Sequence, residues 1–99
     1  MEEKRKYPRR KLCCSALFKG GTQALESVRI RDISRGGLFV ETQNPANRGE
    51  TVLINIDEYN IGRDVGIKGI VVRHVPEYGM GIQISSTTND DYLREWLSR

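Results

Sequence analysis

Two clusters of side chains in this sequence have types and spacings suited to gripping a charged, ring-bearing ligand. The first is Arg5-Lys6-Tyr7-Pro8-Arg9, an RxxxR followed directly by Arg10. Pro8 biases Tyr7 toward extended geometry, so the segment reads as stretched rather than helical. Four residues of extended chain span roughly 13 Å, which lets two guanidinium groups reach opposite sides of one small molecule. A guanidinium fork matches phosphate oxygens or the O6/N7 edge of guanine, and its flat face stacks on bases. The second cluster is Asp32-Ile33-Ser34-Arg35-Gly36-Gly37, a DxSxxG at the end of an expected strand. Asp32 and Ser34 share strand parity and tend to project on one side. A carboxylate is an acceptor pair suited to the N1–H and N2–H donors of guanine, and Ser34 adds a hydroxyl. Gly36 and Gly37 permit a tight turn and close backbone approach. Each cluster also has a plainer reading. The arginines could be a solvated terminus, and Asp, Ser and Gly populate turns for local reasons.

Charge is distributed unevenly. Lys plus Arg is 16 and Asp plus Glu is 13 in 99 residues, a net charge of +3. Residues 1–11 hold 6 basic and 2 acidic side chains, a local +4, which leaves 10 basic and 11 acidic for the remainder, a local −1. A cationic arm on a nearly neutral body suits an anionic partner held by that arm. No apolar run approaches the roughly 20 residues of a membrane span, and no apolar stretch follows the basic start as a secretory signal would require. Cys13 and Cys14 are adjacent and cannot form a disulfide framework, so a reducing, cytoplasmic setting is expected. With a single histidine, no metal site and no cofactor is expected.

The elements that must position these clusters are mostly strands. Residues 12–19 are apolar and end at Gly20-Gly21, a hairpin signal. Residues 23–31 alternate, with Val28 and Ile30 opposite Arg29 and Arg31. Strands follow at 38–42, 51–57 and 64–75, then one carrying Met80, Ile82 and Ile84. In 64–75, Ile70 and Val72 are expected on one face and Val71, Arg73 and Val75 on the other, with Gly66 and Gly69 as bends or bulges. Residues 59–62 and 76–79 read as turns. The tail changes period: Leu93, Trp96 and Leu97 form one helical stripe, with Thr88 or Asn89 as cap and Trp96 as packing anchor. The expectation is an all-β fold: a small six-stranded antiparallel β-barrel with a C-terminal α-helix and a basic N-terminal arm. As one domain of 1–99, it divides into arm 1–11, barrel 12–86 and helix 88–98.

Arg5, Arg9, Asp32, Ser34 and Gly37, in this order around such a barrel, resemble the PilZ family, which binds the bacterial second messenger cyclic di-GMP. The resemblance covers almost the whole chain, including Tyr78-Gly79-Met80-Gly81-Ile82-Gln83, which looks like the family's late barrel strand. It implies that Arg5 and Arg9 grip guanine and phosphate, and that Asp32, Ser34 and Gly37 line a guanine pocket. Arg10 and Gly36, beside those positions, are expected to join them as ligand-binding residues; Arg10 and Arg35 could add charge. The implied protein is a cyclic di-GMP receptor, not an enzyme, whose arm changes conformation on binding and signals to an unidentified effector protein. Two other readings use the same residues. A nucleic-acid-binding barrel would need exposed aromatics and basic residues beyond the arm. A ligand-independent adaptor of the same fold would need neither motif. Catalysis has little basis, because Ser34 has no evident base and the carboxylate pairs are adjacent only in sequence.

Overall fold

The computed structural model describes residues 10–20 and 26–98. Six strands, β1 (Arg10–Gly20), β2 (Glu26–Ile33), β3 (Gly37–Glu41), β4 (Thr51–Ile56), β5 (Val65–Val75) and β6 (Gly79–Thr87), close into an antiparallel barrel in the order β1-β2-β3-β6-β5-β4. Closure pairs Leu17–Gly20 of β1 with Val52–Asn55 of β4, so the sheet has no terminal strand among the described residues. A single-turn helix, α1 (Glu58–Ile61), stands where a turn was expected, and α2 (Asp90–Leu97) ends the chain. No helix among the described residues is long and apolar enough to cross a membrane.

Alternation builds the core. In β4, Val52, Ile54 and Ile56 are buried while Thr51, Leu53 and Asn55 are exposed. The same period points Phe18, Ile30, Leu38, Val40, Ile67, Val71 and Met80 into the barrel. Each such side chain stabilises the fold by about 1.5–3 kcal/mol when fully buried. Leu93 of α2 is buried in this core, with Trp96 and Leu97 packed against it, as the helical stripe requires. Asn89 takes the N-cap position, as expected, and its carbonyl accepts from the Leu93 amide at 3.0 Å, but the capping bond from its side chain is not made. The residue adopts a left-handed backbone (φ 52°). Its Nδ2 donates instead to the Asp64 carbonyl at 2.7 Å, and Thr88 Oγ1 accepts from the Gly66 amide at 2.7 Å. Both residues are spent on fastening α2 to the start of β5.

Three further differences have local causes. Arg10 and Lys11 belong to the barrel rather than the arm, because they pair with Ile33 and Asp32 of β2. Arg73 does not follow Val71 inward. The β5–β6 register runs Val71↔Ile82 then Arg73↔Gly81, so Val72 is an extra residue and parity reverses there. Arg73 and Val72 are both exposed as a result. A second register shift on the same ladder, between Lys68 and Gly69, falls on one of the glycines expected to mark a bend. The side chains of Cys13 and Cys14 lie outside what the structure describes, as does the Gly21 end of the expected hairpin turn.

Gly69 of β5 lies tight against β6. A Cβ there would meet Ile82 Cγ2 at 2.5 Å and the Gln83 carbonyl oxygen at 2.6 Å. Backbone cannot yield as a flexible side chain would, so Gly69→Ala should destabilise the fold by about 1–3 kcal/mol. Urea unfolding checks this. Gly49→Ala is the contrast: a Cβ there has open space, and only the strain of φ 94° opposes it.

Candidate functional site

The DxSxxG motif sits where β2 hands over to β3, and its residues divide into two tasks. Ser34 is buried. Its amide donates to the Gly37 carbonyl at 2.8 Å, its hydroxyl donates to the same oxygen at 3.3 Å, and it accepts from the Gly36 amide at 3.3 Å. The Gly36 carbonyl accepts from Ile84 of β6 at 3.0 Å. A Cβ on Gly37 would meet the Ile82 carbonyl oxygen at 2.5 Å. Ser34, Gly36 and Gly37 therefore shape the turn and seat it on β6. Of Asp32, Ser34 and the two glycines, Asp32 is the one that lines an open cleft.

That cleft, about 310 Å³, is lined by Arg31, Asp32, Phe39, Val72, Arg73, Gly81 and Ile82. It exists because two strands break period at the same level. On the β2–β3 ladder Ile30 pairs with Val40 and Asp32 with Phe39, so Arg31 is an inserted residue. Regular alternation would put one of Arg31 and Asp32 inside the barrel. The bulge turns both outward. On the far side, the bulge at Val72 does the same for Arg73. Between them Phe39 and Gly81 are direct cross-strand partners on β3 and β6. The cleft is thus a Phe39–Gly81 floor flanked by two pairs of outward-turned residues.

Phe39 is the residue that sequence reasoning missed. It is 5% exposed yet lies outside the barrel core. Tyr78 packs on it with ring centroids 5.8 Å apart. The Arg31 guanidinium carbon sits 4.2 Å from its centroid, within cation–π range. Arg31 also donates through Nη1 to Tyr78 Oη at 2.8 Å and, at a longer 3.4 Å, through Nε to Asp32 Oδ2. Burial alone would lower the Arg31 pKa, but the hydrogen bonds and charges of Asp32 and Tyr78 carry it above the ordinary arginine value. The available signal was the glycine spacing in Tyr78-Gly79-Met80-Gly81. A Cβ at Gly79 would meet the Val40 carbonyl oxygen at 2.4 Å and Phe39 Cε1 at 2.7 Å, so this glycine accommodates both the β3 backbone and the external aromatic ring.

Arg35 stands apart from this cleft. It lines a separate one of about 210 Å³ with Ile84, Thr87, Asp90, Leu93, Arg94 and Leu97, facing α2. Arg5 and Arg9 lie outside the described residues, and of Arg10 only the backbone is described. A larger groove of about 450 Å³ runs along β1, β4 and β5 past Leu17, Leu53 and Ile67, with Lys19 and Lys68 at its sides. It contains no motif residue. Chemistry rather than size selects between the two, because only the Asp32 cleft combines a carboxylate, cations and an aromatic floor.

Comparison with known proteins gives one family and one fold. The PilZ domain model matches residues 3–99. No curated protein matches the chain in sequence. Among solved structures, the Bacillus subtilis inhibitor of motility MotI/DgrA superposes with a TM-score of 0.67 at 16% identity. The match covers 98% of this chain and 49% of that one, so this chain spans about half the length of that neighbour.

If Ser34 holds the turn, Ser34→Ala should cost about 1–2 kcal/mol of stability through the lost hydrogen bonds. Asp32→Ala, at a side chain 14% exposed, should leave the Ser34–Gly37 hydrogen bonds of the turn in place. Paired urea melts of the two variants read the difference directly.

Proposed function

Because the chain belongs to the PilZ domain family, we propose that it is a cytoplasmic receptor for cyclic di-GMP that passes its signal to another protein. The observation that carries this reading is the register of β1 on β2. Lys11 stands opposite Asp32 and Arg10 opposite Ile33, so the chain bearing Arg5 and Arg9 joins the barrel beside the cleft carboxylate. Five residues of extended chain reach roughly 17 Å, enough for both arginines to meet a ligand seated there. In this reading Arg5 and Arg9 take phosphate and guanine, and Asp32 accepts from the guanine Watson–Crick edge. Ser34, Gly36 and Gly37 act through the turn that aims Asp32, and Arg10 adds charge where the arm meets β1.

The chemistry is complementary. Cyclic di-GMP carries two phosphates and two guanines, and the arm holds the chain's entire basic excess. An adenine lacks the paired donors that Asp32 accepts from, and leaving a site's polar group unpaired is costly. Binding would draw residues 5–9 onto the barrel and change its outer surface, which is the kind of output a receptor domain without chemistry of its own can transmit. MotI/DgrA is an inhibitor of motility. The corresponding proposal here is that the liganded barrel acts on a protein partner.

Isothermal calorimetry tests the reading. The wild type should bind cyclic di-GMP and discriminate against cyclic di-AMP by at least about tenfold. Asp32→Ala and Arg9→Ala should each weaken binding by about tenfold or more, the scale of one charge-assisted hydrogen bond. A wild type that shows no heat with cyclic di-GMP, or an Asp32→Ala variant of unchanged affinity, would overturn it.

A further inference from the structure

We propose that Arg31 is a ligand-contacting residue of this site: held flat on Phe39, it offers its outer face as a shelf on which one purine ring stacks beside Asp32. The inference rests on the cyclic di-GMP reading above and goes beyond the two motifs, neither of which includes Arg31.

Several residues on the outside of the barrel hold one half-buried arginine. Phe39 is buried on the outside of the barrel, where an aromatic ring contributes nothing to the interior core. Its ring lies beside Gly79, where a Cβ would meet both the Val40 carbonyl oxygen at 2.4 Å and Phe39 Cε1 at 2.7 Å. The guanidinium then lies on that ring at 4.2 Å, and Tyr78 Oη fixes it at 2.8 Å. Its Nε is turned toward Asp32 Oδ2 at 3.4 Å. An arginine side chain ordinarily gives up much rotamer freedom when it binds a ligand, whereas this one has already given it up.

A guanidinium has two flat faces, both weakly hydrated and both suited to π surfaces. Phe39 covers one. The side chain as a whole remains 42% exposed, so the other is available from the cleft. A purine laid there would complete a Phe39–Arg31–base stack, with the base edge next to the neighbouring carboxylate. Arg73, turned outward across the Phe39–Gly81 floor, places a further cation on the opposite wall, where a phosphate of the same ligand would lie. Bases stacked on a side-chain platform lose several-fold to a hundredfold in affinity when the platform is removed.

Two substitutions separate the shelf from its alternatives. Arg31→Lys keeps the charge and loses the plane. Arg31→Leu keeps an apolar cover on Phe39 and loses both plane and charge. With cyclic di-GMP as the titrant, the shelf predicts that both variants weaken binding by at least about fivefold. Full affinity in either variant overturns it, since Lys would then show that charge suffices and Leu that cover suffices. In a saturated wild-type complex, nuclear Overhauser contacts should join a purine H8 to the Arg31 side-chain protons, and their absence also overturns the shelf. This measurement decides the matter should Arg31→Leu fail to fold. A wild type that does not bind cyclic di-GMP at all overturns the receptor reading instead, so the two failures are distinguishable.

Discussion

Everything outside the core of this barrel turns on one constraint: a β-strand's side chains alternate with a period of two, and a closed barrel needs every second residue inside. A barrel that obeys this rule everywhere has an outer surface on which consecutive residues never cooperate. Here the rule is broken at Arg31 on β2 and at Val72 on β5, and both breaks lie at the level of the Phe39–Gly81 pair. Each inserted residue sends two neighbours outward in succession. Arg31 and Asp32 thereby stand together on one wall, and Val72 and Arg73 on the other. The interior is undisturbed, because Ile30 and Ile33 on β2 and Val71 on β5 remain fully or almost fully buried. The site costs the core nothing because it is made from residues the core has no place for.

The DxSxxG motif combines an outward-facing carboxylate with the turn that supports it. Ser34 and Gly37 satisfy or avoid backbone groups at a crowded turn, and the crowding comes from Ile82 of β6 pressed against Gly37. Asp32 faces outward at the end of this rigid piece. A carboxylate on a loose loop would lose orientation each time it bound. One on a turn pinned by Ile84 and by the Ser34 bonds is already aimed. The contact with Arg31 is a long, part-buried ion pair at 3.4 Å. Its consequence is directional, since it holds a cation and an acceptor side by side.

How much of this was legible in the sequence follows from what kind of information each feature uses. The strands were legible because Val52, Ile54 and Ile56, or Met80 and Ile82, alternate strictly, and alternation is a local property. The apolar stripe of α2 was legible for the same reason. The bulges were not. Nothing in Arg29-Ile30-Arg31-Asp32 marks Arg31 as the inserted residue, because insertion is defined only against β3 across the ladder. Reading parity through Val72 consequently put Arg73 with Val71. Phe39 looked like one residue of an apolar strand, and its position outside the core depends on glycines 40 residues away on β6. Asn89 and Thr88 are good capping types, but the β5 backbone competes for them and holds them. Asp32, Ser34, Gly36 and Gly37 were legible as a group, though their division into outward-facing carboxylate and turn was not.

In the proposed receptor, the cleft over the Phe39–Gly81 pair is where a guanine base is received. Amide chemical-shift mapping of the uniformly ¹⁵N-labelled protein during titration with cyclic di-GMP addresses it most directly. The predicted result is a saturable set of shifts concentrated at residues 31–39 and 72–81, with the Gly81 amide among the largest. Shifts concentrated instead along the Leu17–Leu53 groove, with the Asp32 cleft unmoved, would contradict it.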